Sequence, residues 1–289
     1  MMPISQNSKK KIKLAIVGAT SFIGGELLSY IHKKNFNVVA TYKTKKNIKK
    51  KYNFKWKKLD IKKKKINYFN YLENPDIVIN LSWPDIPNYQ LKKHFLTSST
   101  QQRFVQNLIK NGLKNIIILG SCYEYGKISG KIDEKKREKP TIAYAKAKLK
   151  LLKSIQKLKY FYSFKLTWLR PFFVYGYNSK RKNLYTLLKD IDQNNLNQLN
   201  VCGNLIRDFV PVKYLCSSML KIISLNKDFG ILNICTGKGT SVKNFIKKHI
   251  KNKSFFRKIN MNAVNPNSFE PKSFWGDKKK LNKILKNTK

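Results

Sequence analysis

Tyr144 and Lys148 stand four residues apart in Tyr-Ala-Lys-Ala-Lys, and on a helix that spacing sets both side chains on one face. An ammonium beside a phenol lowers the phenol's pKa from ~10 toward neutrality. The phenol then exchanges a proton with a sugar hydroxyl or carbonyl while hydride moves to or from a nicotinamide. In a chain this rich in Lys and Tyr the spacing alone carries little; its position carries more. It opens a helix after the strand Ile116 to Leu119, which ends in Gly120-Ser121-Cys122-Tyr123-Glu124-Tyr125-Gly126. Ser121 thereby falls at the carboxyl end of a strand, where ligands bind in open α/β sheets.

A second group of residues suits a phosphate. Leu14-Ala-Ile-Val-Gly18-Ala-Thr20-Ser21-Phe22-Ile23-Gly24-Gly25 reads as strand, glycine turn and helix start. Gly18 permits the sharp turn, Gly24 allows close helix-to-strand packing, and the helix N-terminus offers N–H groups to a pyrophosphate. Ser21 takes the place of a middle glycine, which removes one glycine from the fingerprint. The next strand ends Val38-Val-Ala-Thr41-Tyr-Lys43, with no acid where one would hold the ribose 2′-OH of NAD. Thr41, Lys43 and Lys45 are expected to face the extra phosphate of NADP instead, so NADP is preferred and NAD stays admissible.

Positioning these groups requires a sheet. Short apolar runs at 14–17, 37–41, 76–81, 115–119 and 166–169 read as strands, and helical periodicity recurs at 22–34, 89–111 and 144–159. Strands buried on both faces and alternating with helices predict an α/β fold with a doubly wound parallel sheet of Rossmann type. Lysine clusters at 43–51, 57–58 and 62–65 are read as solvated segments between strands. With no Gly/Ser linker, the expected division is a dinucleotide-binding core over 1–170 and a smaller substrate-binding part over 171–289, partly interleaved with it.

The charge balance is extreme: 61 Lys+Arg against 15 Asp+Glu give a formal charge of +46. Such a charge first suggests a polyanion partner. Only six of the basic residues are Arg, and the chain is loaded with Asn and Ile, as an AT-rich coding sequence would produce. No K-H, RNP or zinc signature is present, so nucleic acid is not the expected partner. The four cysteines, Cys122, Cys202, Cys216 and Cys235, form no C-x-x-C pair and read as reduced. Without a secretory leader or a run of ~20 apolar residues, the chain is expected to be cytoplasmic, without a membrane span or a metal.

Taken together, these blocks resemble the extended short-chain dehydrogenase/reductase family of NAD(P)-dependent nucleotide-sugar epimerases, dehydratases and reductases. The likeness runs from about Lys13 to about Gly239, with a weaker continuation. The family loop G-x-x-G-x-x-G is matched by Gly18, Ser21 and Gly24, its S-S-x-x-V-Y-G by Ser121 through Gly126, and its Y-x-x-x-K by Tyr144 and Lys148. Leu59-Asp60-Ile61 looks like the acidic position beside the adenine, and Leu81-Ser82-Trp83 replaces the usual L-A-A loop under the cofactor. Arg170 to Gly176 and Arg207-Asp208-Phe209-Val210 match later blocks that flank a nucleotide-sugar diphosphate, and Asn233 to Gly237 matches the late N-I-G-x-G strand.

The resemblance implies catalysis by Ser121, Tyr144 and Lys148. It implies a cofactor site made of Gly18, Thr20, Ser21, Phe22, Ile23, Gly24, Thr41, Lys43, Asp60, Ile61, Leu81 and Ser82, together with Tyr144 and Lys148. It implies substrate contacts at Trp83, Ser121, Cys122, Tyr123 and Arg207, and it admits a homodimer. Arg207, retained where Lys is the rule, is expected to grip the diphosphate as a bidentate fork oriented by Asp208, or else to form a structural ion pair. Arg170 is read equally as structural. The 4,6-dehydratases carry Asp-Glu after the catalytic Ser/Thr; Cys122 and Tyr123 stand there instead, which disfavours dehydration. A redox step at one sugar carbon remains, either 4-keto reduction or C4 epimerisation, as in surface-polysaccharide sugar synthesis. Cys122 is either a second acid/base or packing, and the stiff Asn80–Tyr89 loop either lines the sugar pocket or caps the sheet. A degenerate NADP-binding regulatory protein, or a nucleic-acid binder on the same fold, is the alternative class.

Overall fold

Ala15-Ile-Val17, Ile77-Val-Ile79 and Ile116-Ile-Ile118 carry no polar residue on either face, which suits strands covered by helices on both sides. The computed structural model describes residues 11–44, 48, 52–62, 67–177, 179, 183–250, 252–264 and 269–286. The first half runs β1 (Ile12–Val17), α1 (Phe22–Ile31), β2 (Phe36–Tyr42), β3 (Lys55–Lys58), the single turn α2 (Tyr68–Tyr71), β4 (Ile77–Asn80), α3 (Lys93–Lys110) and β5 (Asn115–Leu119). Next come β6 (Gly130–Ile132), α4 (Ala143–Leu158), β7 (Lys165–Pro171), β8 (Phe173–Tyr175) and α5 (Leu184–Asp192). The remainder runs β9 (Leu199–Asn200), β10 (Ile206–Arg207), β11 (Phe209–Pro211), α6 (Val212–Leu225), β12 (Gly230–Ile234) and β13 (Thr240–Ser241). It closes with α7 (Val242–His249), β14 (Ile259–Asn260), β15 (Ser273–Gly276) and α8 (Lys279–Lys286).

Seven parallel strands form the main sheet in the order β12-β7-β5-β4-β1-β2-β3. The chain winds outward from β1 to β3, then returns to the other side at β4, so the β1/β4 seam is the switch point at which such sheets open a crevice. Alternation along β1 divides the core. Leu14 and Ile16 join Leu27, Ile31, Leu215 and Met219 under α1 and α6, while Ala15 and Val17 join Val78, Phe104, Leu108 and Ile155 under α3 and α4. Among the described residues no helix is long and apolar enough to cross a membrane.

Two local expectations are corrected. Lys57 and Lys58 do not lie between strands: they belong to β3, the edge of the sheet, where one lysine side reaches solvent and Trp56 packs against the core. The helix expected from Tyr89 starts at Lys93, because Asn88 to Leu91 spend their backbone groups on turns. Lys45 lies outside the described residues.

A smaller sheet, β13-β10-β15-β6, stands beside the main one, with a third apolar cluster of Tyr185, Leu188, Val242, Phe245 and Ile259. The two parts exchange elements. β6 comes from the first half and pairs with β15, while α6 and β12 come from the second half and complete the main sheet.

Candidate active site

The glycine turn is held from three directions. Gly18 has φ +82° and donates its N–H to Thr41 Oγ1 at 3.2 Å, and Ser21 caps α1 by accepting from Gly24 N–H at 3.1 Å. A Cβ on Gly24 would lie 2.4 Å from the Gly18 carbonyl oxygen, so helix and turn touch through a position only glycine fits. Gly24→Ala should therefore shift the turn, cost about 1–3 kcal/mol of stability and weaken dinucleotide binding; thermal melts with and without cofactor check both. Beneath the turn, Ser82, Asn80 and Gln101 are mutually bonded. Ser82 Oγ donates to Asn80 Oδ1 at 2.8 Å, Asn80 Nδ2 to Gln101 Oε1 at 2.7 Å, and Gln101 Nε2 to Ser82 O at 2.7 Å.

Two cavities open on either side of this turn. The first, about 350 Å3, is lined by Gly18 and Thr20 of the turn, Thr41 and Lys43 at the end of β2, Asp60 and Ile61 after β3, and Ser82 and Trp83 after β4. The second, about 300 Å3, runs from Phe22, Ile23, Ser121, Cys122, Tyr123 and Tyr144 to an aromatic end made by Tyr175, Tyr185, Phe209 and Phe245. Phe22 and Ile23 form the first turn of α1, where backbone N–H groups have no partner within a helix. A dinucleotide laid across the β1/β4 seam fits this arrangement: one cavity for each half, and open N–H groups between them for the pyrophosphate. Gly24, Ser21, Leu81 and Lys148 lie behind the cavity walls. Thr41 is 2% exposed and its hydroxyl accepts from Gly18 N–H, so it clamps the turn at the edge of the first cavity.

At the second cavity Ser121 begins a single 3-10 turn, Cys122 to Tyr125, as the first member of a capping box. Its Oγ accepts from Tyr123 N–H at 3.2 Å, and its own N–H donates to Glu124 Oε1 at 2.8 Å. Tyr144 opens α4, its N–H fixed on Tyr89 O at 2.9 Å, and it shares the cavity wall with Ser121, whose side chain pulls the phenol's pKa down. Lys148, one turn on, donates to the Leu119 carbonyl and sits 4.2 Å from the Trp83 ring centre but 5.7 Å from that of Tyr144. The expected acidification of the phenol is reversed here. Burial, then the neighbouring Tyr89 and Glu124, push the Tyr144 phenol up, against a smaller downward pull from Ser121. Burial pulls Lys148 down to about 7, which Glu124 opposes. Both groups are desolvated and the ammonium is turned to a carbonyl and an indole rather than to the phenol. Cys122 is likewise pushed up by burial, which leaves it a neutral thiol in the cavity wall.

Arg207 departs furthest from expectation. It is 2% exposed and lines neither cavity. Its Nη2 meets Glu270 Oε2 at 2.8 Å, and Nη1 donates to the carbonyls of Ile206 and Pro271 at 2.9 Å. Asp208 does not orient it: that carboxylate accepts from Thr236 Oγ1 at 2.6 Å and from the N–H groups of Thr236, Gly237 and Gly276. The guanidinium is saturated by the segment before β15, so the diphosphate fork is withdrawn. Arg170 is also interior. Its Nε meets Glu124 and its Nη2 meets Glu138, each at 2.8 Å, over the Tyr125 ring. Asn178 and residues 180–182 lie outside the described residues, and Lys189 sits 3.6 Å over the Tyr177 ring.

The Asn80–Tyr89 loop brings Ile86, Pro87 and Tyr89 to the second cavity; sequence reasoning missed His94, Gln101, Glu124 and Glu270. Glu124 bonds Ser121, Trp168 and Arg170 at once. Glu270 accepts the Tyr123 hydroxyl at 2.6 Å as well as Arg207. The one available signal was Glu124, an acid inside an otherwise apolar strand end.

Fold and site define a parallel-sheet protein with a dinucleotide crevice and a Ser-Tyr-Lys group beside it. The chain belongs to the NAD dependent epimerase/dehydratase family, whose model matches residues 14–235. It is 26% identical over 210 residues to a dTDP-6-deoxy-L-talose 4-dehydrogenase (NAD(+)) of Aggregatibacter actinomycetemcomitans, covering 72% of this chain and 77% of that one. Its fold is shared with MoeE5 in complex with UDP-glucose and NAD, at TM-score 0.82 and 20% identity over 95% of this chain and 92% of the other. A UDP-glucuronic acid 4-epimerase from Bacillus cereus, in complex with UDP-glucuronic acid and NAD, gives TM-score 0.82 and 20% identity over 95% and 93%.

Proposed function

We propose that this enzyme carries out a redox step at C4 of a nucleotide-activated sugar, with 4-keto reduction as the favoured direction and C4 epimerisation as its internal variant. The observation that carries the reading is Tyr144, standing with Ser121 in the wall of the cavity that also meets the first turn of α1. A bound nicotinamide supplies or accepts the hydride. Tyr144 then exchanges the proton at the sugar oxygen, Ser121 holds that oxygen, and Lys148 supplies positive charge behind the phenol. Because burial keeps the phenol protonated, Tyr144 is set to donate, which is the reductive direction. The aromatic end of the cavity suits a planar base, and its neutral lining suits a sugar. One relative is a dTDP-6-deoxy-L-talose 4-dehydrogenase, whose name points to the same carbon. Incubation with a panel of nucleotide-4-keto-sugars, followed by the absorbance of NADPH and NADH, tests the reading. Cofactor binding without consumption across the panel would instead favour a binding protein.

The preferred cofactor is NADP(H). The relatives named above bind NAD; what supports the phosphorylated form is the Thr41-Tyr42-Lys43 end of β2, which has no acid, and an exposed Lys43 lining the first cavity. Lys43→Asp should cost roughly tenfold in NADPH affinity and little in NADH affinity, since it replaces an attraction with a repulsion at the 2′-phosphate alone. Titrating both cofactors at one fixed ionic strength decides it, because a charge of +46 draws any phosphate. Unaltered preference in Lys43→Asp, or tighter NADH binding by the native chain, removes the idea.

A further inference from the structure

Trp83 stands where the family resemblance expects alanine, in the loop that follows β4, and it is 8% exposed. Its indole is fixed at its polar end. Nε1 donates to His94 Nδ1 at 3.1 Å, which leaves His94 Nε2 to donate to the Asn88 carbonyl at 2.9 Å. A ring held this way keeps one orientation, and two groups meet it. The Tyr144 ring packs edge-on at 5.8 Å between centres, and the Lys148 Nζ lies over the indole at 4.2 Å. A cation this close to the centre of an indole is attracted by the ring's negative face, more so when water is excluded. Lys148 is 3% exposed. The Leu119 carbonyl is its hydrogen-bond acceptor, so the indole takes a place that an anion or water would ordinarily fill.

We propose that Trp83, held by His94 and Asn88, is a positioning residue for Lys148: its indole face carries the ammonium and keeps it behind Tyr144 at the wall between the two cavities. The consequence for turnover rests on the functional reading above; the contact between ring and ammonium does not. The surroundings of Lys148 are few in kind. Glu124 faces it from the turn after β5 and favours the charged form, Tyr144 lies on its own helix, and His94 sits behind the indole from α3. Tyr89, Ser121 and Cys122 gather around the phenol. Against these, burial favours the neutral amine. The indole therefore works with Glu124, and removing it must move Lys148 toward the neutral form, that is, to a lower titration midpoint.

The test is a titration of lysines carrying 13C at Cε, followed by NMR on the full chain, with the Lys148 signal assigned by its loss in Lys148→Met. Lys148 is expected to titrate at about 7, well apart from surface lysines near 10. Trp83→Leu keeps the site apolar and removes the ring face; the midpoint should fall by roughly 0.5–1.5 pH units. Trp83→Phe retains a weaker face, so a smaller fall in the same direction is expected, and this variant serves where leucine does not fold. His94→Leu, which frees the indole, should also lower the midpoint while Trp83 itself is intact. A midpoint unchanged or raised in the Trp83 variants overturns the proposal. Should Tyr144→Phe retain full turnover, the functional reading fails, yet the titration still decides the role of Trp83.

Discussion

Tyr144→Phe is expected to lower turnover by about 10²–10⁴-fold while cofactor affinity changes little. The size follows from what a positioned proton donor contributes to a transition state, and the selectivity follows from where the hydroxyl sits. Its ring packs against Trp83, Tyr89 and His94, contacts that phenylalanine reproduces, so the start of α4 should stay in place. Only the hydroxyl is lost. Stopped-flow measurement of NADPH oxidation with a nucleotide-4-keto-sugar gives the rate, and fluorescence titration gives the cofactor affinity. Turnover within tenfold of the native chain would remove Tyr144 as the donor. Ser121→Ala should cost less, since Tyr144 would keep its proton and only the hold on the sugar oxygen would be lost.

The largest effect on stability is expected at the buried ion pair behind the site. Arg170→Met should destabilise the fold by about 3–5 kcal/mol, because Glu124 and Arg170 are each 0% exposed and removal of one leaves the other charged in an apolar interior. Glu138, on the rim, would lose its partner too. The double variant Arg170→Met with Glu124→Gln should recover part of that loss, since the fully buried carboxylate is no longer left without its guanidinium and the amide can still meet Trp168 Nε1. Urea unfolding followed by fluorescence measures both. If the single variant loses under 1 kcal/mol, water reaches the pair. Because Glu124 also fixes the Ser121 N–H, Glu124→Gln alone should disturb turnover as well as stability.

What the sequence disclosed and what it hid follow one physical line. β1, β2, β4, β5 and β7 were legible because burial on both faces demands unbroken apolar runs, and the Gly18 turn because φ > 0 demands glycine. β3 was not legible, since an edge strand of Lys-Trp-Lys-Lys looks like any other lysine cluster in this chain. The cluster of Ser121, Tyr144 and Lys148 could be anticipated from spacing. The directions of their pKa shifts could not, because those depend on whether the Lys148 ammonium faces the phenol or the indole. Arg207 shows the same limit. Its rarity marked it as important, but its partner is Glu270, 63 residues further on, and only the pairing of β10 with β15 brings them together.

The exchange of elements between the two sheets bears on how such a chain is made. A ribosome delivers residues in order, at about 5–20 per second, and folding of the nascent chain can use only what has emerged. When β7 appears, its outer edge has no partner until β12 at 230–234 is synthesised, and β6 at 130–132 waits for β15 at 273–276. Neither half can therefore lock into place during translation. The growing polypeptide carries an unpaired, apolar sheet edge from the synthesis of β7 until that of β12, and the smaller sheet stays open until β15 is made. Nascent chains bearing a charge as large as +46 repel one another while such edges are open.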